Sequence, residues 1–250
     1  MLAILSDIHA NIEALQAVID DMEKHGAERV ICLGDVIGYG PNPLECIDAC
    51  MDFDIVLRGN HEEALLVEME GSSFNTRAQG SLDWTREKLS MLSERRDENA
   101  ARWDFLGEIE YTHEEDDRLF LHGTPREPVC EYLRPRDIHD RVKMEDLFSR
   151  IDHVCFSGHT HMGGVWTKDM KFQPPRELNY RYDIGDQKTF INPGSVGQSR
   201  DGDTRASYIL MKDSQLVWRR ISYPVETTAE KIRAIPELDP FLADRLLEGR

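Results

Sequence analysis

Asp7-Ile8-His9, Gly34-Asp35, Gly59-Asn60-His61-Glu62, His122-Gly123 and Gly158-His159-Thr160-His161 are the stretches of this 250-residue chain whose residue types could do chemistry together. Asp7, His9, Asp35, Asn60, His122, His159 and His161 offer carboxylates, an amide oxygen and imidazoles, with no thiolate among them. That set suits Mn, Fe or Zn better than a soft-metal site, and better than an all-oxygen Mg or Ca shell. Seven donors are too many for one tetrahedral ion. They suit two divalent ions sharing a bridging carboxylate and a bridging hydroxide, and Asp35 is the residue expected at the centre.

Short apolar runs precede every one of these stretches, at 2–5, 30–33, 54–57, 118–121 and 153–156. Runs of this kind read as strands buried on both faces. Open α/β sheets carry their sites just past the carboxyl ends of such strands. Alternate residues of a strand point to one side. Asp7 and His9, two apart, are therefore expected to present two ligands to one centre, and so are His159 and His161 in their loop.

The intervening chain supplies the supports. Ile12, Leu15, Val18, Ile19 and Met22 recur at helical spacing over 11–25, and Gly26 is a stop. With a strand at 28–33 this makes a β-α-β unit with a right-handed crossover. Gly38 to Pro43 is a loop, and Pro43 opens a helix to residue 51. Residues 62–107 are expected to be a helical insertion, with helices at 64–69, 78–92 and 98–106 packed down by Trp84, Leu89, Leu92, Trp103, Phe105 and Leu106. Strands resume at 108–112 and 118–121, a Pro- and Arg-containing loop covers 126–135, and a helix covers 138–150. After His161 the pattern is β, at 165–167, 180–182, 189–191, 207–211 and 216–222, and should form much of a second sheet. Helices at 228–235 and 240–247 close the chain. One site assembled from Asp7 to His161 argues for a single domain over 1–250.

The 47 acidic residues against 30 basic ones give a net charge of -17. This weighs against non-specific nucleic-acid binding and against an anionic membrane surface. No apolar run approaches the roughly 18 residues of a membrane span. Cleavage of an N-terminal leader would remove Asp7. Cys32 and Cys155 sit inside apolar strands, and the five cysteines form no CxxC pair. A reducing, cytoplasmic setting is expected.

The motifs, in this order, resemble the calcineurin-like metallophosphoesterases, whose pattern is Asp-x-His, Gly-Asp, Gly-Asn-His-(Asp/Glu), His and Gly-His-x-His. Asn192-Pro193-Gly194-Ser195-Val196-Gly197 resembles a further stretch in bacterial and archaeal phosphodiesterases of that family. The resemblance implies a four-layer α-β-β-α sandwich of the α/β class with two mixed β-sheets. It implies that Asp7, His9 and His161 hold one metal, that Asn60, His122 and His159 hold the other, and that Asp35 bridges them. His61 matches the family's non-ligand catalytic histidine. The implied reaction is hydrolysis of a phosphate ester: hydroxide, formed from water acidified to a pKa of about 7, attacks phosphorus in line and His61 protonates the leaving alkoxide. The two ions outweigh the carboxylates of Asp7 and Asp35, so an acidic protein keeps a local positive spot for phosphate.

The sequence departs from the family's protein phosphatase branch. That branch carries an Asp-Arg pair soon after Gly-Asp, where this chain has Gly38-Tyr39. The carboxylate that would orient His61 and an arginine for phosphate are both missing. Small phosphodiesters or nucleotides are therefore expected ahead of phosphoproteins; monoesters and dinucleoside polyphosphates are the alternatives within the same chemistry. Asn60, Arg58, Arg126, Arg134 and Arg205 are candidates to touch the substrate, Arg126 foremost because its loop follows His122. Other readings are weaker. Cys130 and Arg136 have the spacing of a cysteine phosphatase loop but no glycine between them. Ser195 lacks the G-x-S-x-G context of a nucleophile elbow. A non-catalytic scaffold of the same fold would have eroded ligands, and none is eroded here.

Overall fold

The computed structural model describes residues 1–67, 75–92 and 94–250. β1 (Leu2–Leu5) and β2 (Arg29–Cys32) pair in parallel, from Leu2 opposite Arg29 to Leu5 opposite Cys32. α1 (Ile12–Lys24) makes the crossover; Asn11 accepts the Ala14 N–H at 3.1 Å as its cap, and Ala14, Leu15, Val18 and Met22 are its buried stripe. α2 (Pro43–Cys50) starts on proline and leads to β3 (Ile55–Val56), parallel to β2. Three helices follow, α3 (Asn60–Leu66), α4 (Thr76–Lys88) and α5 (Arg96–Glu108). β4 (Thr112–Glu115) and β5 (Arg118–Leu121) form a hairpin. A 3-10 turn at Pro135–His139 precedes α6 (Arg141–Ser149), capped by Asp140. Then come β6 (Val154–Ser157), β7 (Gly164–Thr167), β8 (Lys171–Gln173), β9 (Arg181–Asp183), β10 (Thr189–Asn192), β11 (Ala206–Lys212) and β12 (Gln215–Ile221). α7 (Val225–Ala234) and α8 (Phe241–Glu248) follow.

Among the described residues the strands form two 6-stranded mixed sheets, β3-β2-β1-β11-β12-β9 and β4-β5-β6-β10-β7-β8. Alternation sorts their side chains into layers. Leu2, Ile4, Ile31 and Leu33 of the first sheet meet Phe120, Phe156, Val165 and Ile191 of the second. Ala3, Leu5, Cys32 and Tyr208, on the opposite face, pack against α1 and α2. Leu121, Cys155, Trp166 and Phe190 pack against Met144, Leu147 and Phe148 of α6. The order is helix, sheet, sheet, helix, and the carboxyl ends of β1, β2, β3, β5 and β6 supply the loops of the site.

Several expected elements shift, each for a local reason. The strand expected at 108–112 begins only at Thr112. α5 runs on to Glu108, and Glu110 spends its carbonyl on the Arg58 N–H at 2.8 Å in an isolated bridge. The β segments after His161 do not share one sheet. β11 is buried along nearly its whole length because it lies antiparallel beside β1, inside the first sheet, with β12 and β9 outside it. The three-residue edge strand β8 was too short to show a pattern. The helix expected from residue 64 begins at Asn60, and its expected end, Met69, lies outside the described residues. Leu92, expected to pack, is 98% exposed, since α4 stops at Lys88.

Candidate metal centre

The strand-end loops are built from left-handed backbone. Asp7, His9, Asp35, His159 and His161 all have φ between 48° and 65°. For non-glycine residues each such conformation costs on the order of 1–3 kcal/mol and persists only where surrounding structure enforces it. Asp7 and His9 are therefore not presented by strand alternation, because β1 ends at Leu5. They lie in a loop zipped to its neighbour by the N–H groups of Asp7, His9 and Ala10, which donate to the carbonyls of Gly34, Asp35 and Val36 at 3.0, 2.9 and 2.8 Å.

Glu62 ties the Asp35 loop to the start of α3. Its side chain is fully buried and accepts four backbone N–H groups: Asp35 and Gly59 on Oε2, both at 2.9 Å, and Val36 and Ile37 on Oε1, at 2.9 and 3.1 Å. Burial, with the charge of Asp35, pushes this carboxyl up to about 7, and the Ile37 and Gly59 N–H groups oppose that rise. Asp35 Oδ1 accepts the His61 N–H at 2.9 Å, in the first turn of α3, where the helix dipole favours an anion. Gly59 is obligatory here: a Cβ would lie 2.2 Å from Asp35 Oδ1 and 2.4 Å from Asp35 N.

With Oδ1 anchored, Asp35 Oδ2 faces His122 Nε2 at 3.3 Å and His9 Nε2 at 3.7 Å. Around the first contact lie Asn60 Oδ1 and His159 Nδ1, each 3.1 Å from His122 Nε2. Around the second, His161 Nε2 is 3.1 Å from His9 Nε2 and 3.3 Å from Asp7 Oδ1. Two groups of four donors thus share one carboxylate oxygen. N and O ligands at about 2.0–2.2 Å in a tetrahedral shell stand about 3.4 Å apart. The observed separations bracket that value, so the residues fit two metal ions.

Tautomers strengthen the fit. His9 Nδ1 faces the Ile37 carbonyl at 3.1 Å and His161 Nδ1 faces that of Gln198. A carbonyl only accepts, so both protons sit on Nδ1, and burial holds both rings well below the usual histidine range. Their Nε2 lone pairs then point at each other across 3.1 Å, an arrangement that a cation between them relieves. Asp7 Oδ1 is buried with no hydrogen-bond partner, and burial raises this carboxyl to about 7. In the other group burial disfavours a charge on His122, but the carboxylates of Asp35, Asp7 and Glu62 together outweigh it and lift His122 to about 9. A metal ion held by these donors would displace that proton. His159 Nε2 donates to the Cys130 carbonyl at 3.0 Å, leaving Nδ1 for the centre.

The model of the calcineurin-like phosphoesterase superfamily domain matches residues 1–215. The chain belongs to that superfamily. An uncharacterized protein of Methanocaldococcus jannaschii is 34% identical over 260 residues, covering 100% of this chain and 98% of the relative. The crystal structure of a metallophosphoesterase from Sphaerobacter thermophilus is 31% identical, with a TM-score of 0.83 over 100% of this chain and 98% of that one. A hypothetical protein from Pyrococcus horikoshii, 16% identical, shares the fold at a TM-score of 0.73 over 100% and 99% of the two chains.

Asn192-Pro193-Gly194-Ser195 runs out of the end of β10, and its use is visible. The Asn192 amide donates to the Gly158 carbonyl at 2.7 Å, and Ser195 Oγ donates to the Asp7 carbonyl at 2.8 Å. Ser195 Oγ also accepts the Gln198 N–H at 2.8 Å, so it ties its own loop to the Asp7 loop, which accounts for it without a nucleophilic role. The shared centre opens into a cleft of ≈ 210 Å³ flanked by Tyr39, His61, Tyr132 and Arg200. The His61 ring packs over Gly38, where a Cβ would lie 2.0 Å from its Nδ1, and its Nε2 is 4.0 Å from Asp35 Oδ2. Burial lowers this imidazole to about 4. The cleft thiol of Cys130 is pushed up to about 11 by burial and stays protonated.

The expected arginines go elsewhere. Arg58 binds Glu63, the Tyr111 hydroxyl and the Gly107 carbonyl, an anchor for the end of α5. Arg126 pairs with Glu131 and Asp146. Arg134 lies 4.2 Å over the Tyr132 ring, and Arg205 pairs with Asp203. None of the four lines the cleft, whereas Arg200 does. Its only sequence signal was its place three residues past the Asn192–Gly197 stretch.

Proposed function

We propose that this protein is a hydrolase of small phosphate esters, phosphodiesters and nucleotides ahead of phosphoproteins, working with two divalent transition-metal ions of the Mn, Fe or Zn kind. The observation that carries this reading is the sharing of Asp35 Oδ2 between two groups of donors, at 3.3 Å from His122 and 3.7 Å from His9. Asp7, His9 and His161 would hold one ion, Asn60, His122 and His159 the other, and Asp35 both. Bound ions would supply Lewis acidity toward phosphoryl oxygens and acidify a water nucleophile. The protein's own part is to hold the donors in place, through Glu62, Ser195 and Asn192, and to shape the cleft. His61, in that cleft beside Asn60, is assigned to deliver a proton to the leaving oxygen; burial holds its ring down to about 4, so this role requires the negative charge of a bound phosphate to raise it. Tyr39 packs 4.6 Å from the rings of both His9 and His61, in the position that holds an arginine in the protein phosphatase branch, and narrows the entrance to small esters.

The surroundings support a small anionic substrate in a reducing cytoplasm. A net charge of -17 disfavours nucleic acid and anionic lipid, and all five cysteines are free thiols. Among the described residues no helix is long and apolar enough to cross a membrane.

The test is a panel assay of metal-reconstituted protein against bis-p-nitrophenyl phosphate, nucleotides, dinucleoside polyphosphates, simple monoesters and a phosphoserine peptide. The reading expects chelator-sensitive hydrolysis, with diesters above the peptide. A peptide rate well above every diester would contradict it.

A further inference from the structure

Arg200 differs from the other arginines around the site. Arg58, Arg126, Arg205 and Arg220 each hold a carboxylate. Arg200 has no carboxylate partner among the described residues, although the chain is strongly acidic. It lines the cleft together with Asp35, Asn60, His61 and His159.

The guanidinium is also aimed. Arg200 Nε donates to Gln198 Oε1 at 3.1 Å. Gln198 is 2% exposed, and its backbone carbonyl is the one that orients the ligand His161. One residue therefore sets the direction of a metal ligand and of the free cation. The nitrogen of the same Gln198 amide, Nε2, is a donor buried without a hydrogen-bond partner. Beside Arg200 stands the Tyr132 hydroxyl. The Tyr132 ring is stacked on His159 at 3.7 Å and lies 4.2 Å from the Arg134 guanidinium. Two groups at those distances cannot share one face, so both faces are covered and only the ring edge and hydroxyl are left for a ligand. A second cation, Arg245, lies close enough for the two to repel. Burial, and then the charge of Arg200, bring it down to about 10. Unpaired donors and neighbouring cations over a metal group make a place for a multiply charged oxyanion.

We propose that Arg200 is the substrate-phosphate ligand of this site: its guanidinium takes a phosphoryl oxygen of the ester, beside the Tyr132 hydroxyl and over the shared Asp35 centre. The planar fork matches a phosphoryl group with two parallel N–H donors, which a lysine at the same place cannot reproduce. Arg200 thus supplies from the loop after β10 the cation that the sequence lacks at position 39. This inference rests on the phosphoester reading for its biological ligand, but its test does not need turnover.

Metal-reconstituted wild type, Arg200→Ala and Arg200→Lys are titrated with inorganic phosphate by calorimetry, with the metal content of each sample measured. The inference expects equal metal content in all three, phosphate binding at least about tenfold weaker in Arg200→Ala, and partial recovery in Arg200→Lys. In any ester assay KM should rise more than kcat falls. Unchanged phosphate affinity in Arg200→Ala overturns the inference, and so does loss of metal from both variants, which would make Arg200 a support of the ligand shell. If hydrolysis persists while phosphate affinity is unchanged, Arg200 fails and the hydrolase reading stands. If no ester is turned over but phosphate affinity still drops, Arg200 stands and the hydrolase reading fails.

Discussion

Replacing Glu62 with glutamine removes one charge and almost no volume, yet it should be among the more damaging substitutions in the chain. The two carboxylate oxygens accept two backbone N–H groups each, Asp35 and Gly59 on one and Val36 and Ile37 on the other. Glutamine keeps one acceptor oxygen. Whichever way its amide turns, two of the four N–H groups face an NH2 that can only donate. A buried donor left unsatisfied costs about 1–3 kcal/mol, so the substitution should cost about 2–6 kcal/mol. Two of the groups tied by Glu62, Asp35 and Gly59, also set where Oδ2 points, so metal affinity should fall together with stability. The assay is urea unfolding of metal-free wild type and variant, followed by metal titration of each. A loss under about 1 kcal/mol, with metal affinity unchanged, would refute the idea that Glu62 locks the bridging loop.

His61→Ala should leave both ions bound and slow alkyl or nucleoside esters by much of the roughly 10²–10⁴-fold that a general acid contributes. It should slow p-nitrophenyl esters far less, because that leaving group departs without a proton; equal losses on both, or lost metal, would reject the acid role. The Arg29–Glu115 pair, bonded at 2.9 and 2.8 Å, holds the Glu115 carboxyl down to about 2 from 4.5. A depressed carboxylate stabilises fully above its unfolded pKa and loses that contribution as pH falls toward the folded one. The stability gap between wild type and Glu115→Gln, under about 1 kcal/mol because both side chains are partly exposed, should therefore shrink from about pH 5 to about pH 2, and a constant gap would contradict it. Phe156→Ala, at the buried interface of the two sheets and stacked 5.0 Å from Phe120, should cost about 3–5 kcal/mol in a denaturant titration.

Much of this was readable from the chain, because the strands that carry the site are short, apolar and end in unusual residues. The β-α-β unit from Leu2 to Cys32 followed from helical spacing and a glycine stop. How Asp7 and His9 converge did not follow, since spacing predicts strand alternation and the structure uses left-handed residues held by the neighbouring loop. The split of the C-terminal strands between sheets was equally hidden. β11 and β10 are both apolar, and only the partners they find, β1 and β6, separate them. The arginines show the same limit. Arg126 was attractive by its position after His122, but a carboxylate five residues on, Glu131, claims it. Arg200 carried no motif of its own and is recognised only when the loop after β10 is seen folded over the site.

The sharing of Asp35 is tested most directly by the ratio of metal to protein in wild type and in Asp35→Asn after reconstitution and removal of loosely held ions. Two ions per wild-type chain, and loss of at least one from Asp35→Asn with weakened hold on the other, are the predicted result. Two tightly held ions in Asp35→Asn, or a single ion in the wild type, would contradict the shared centre.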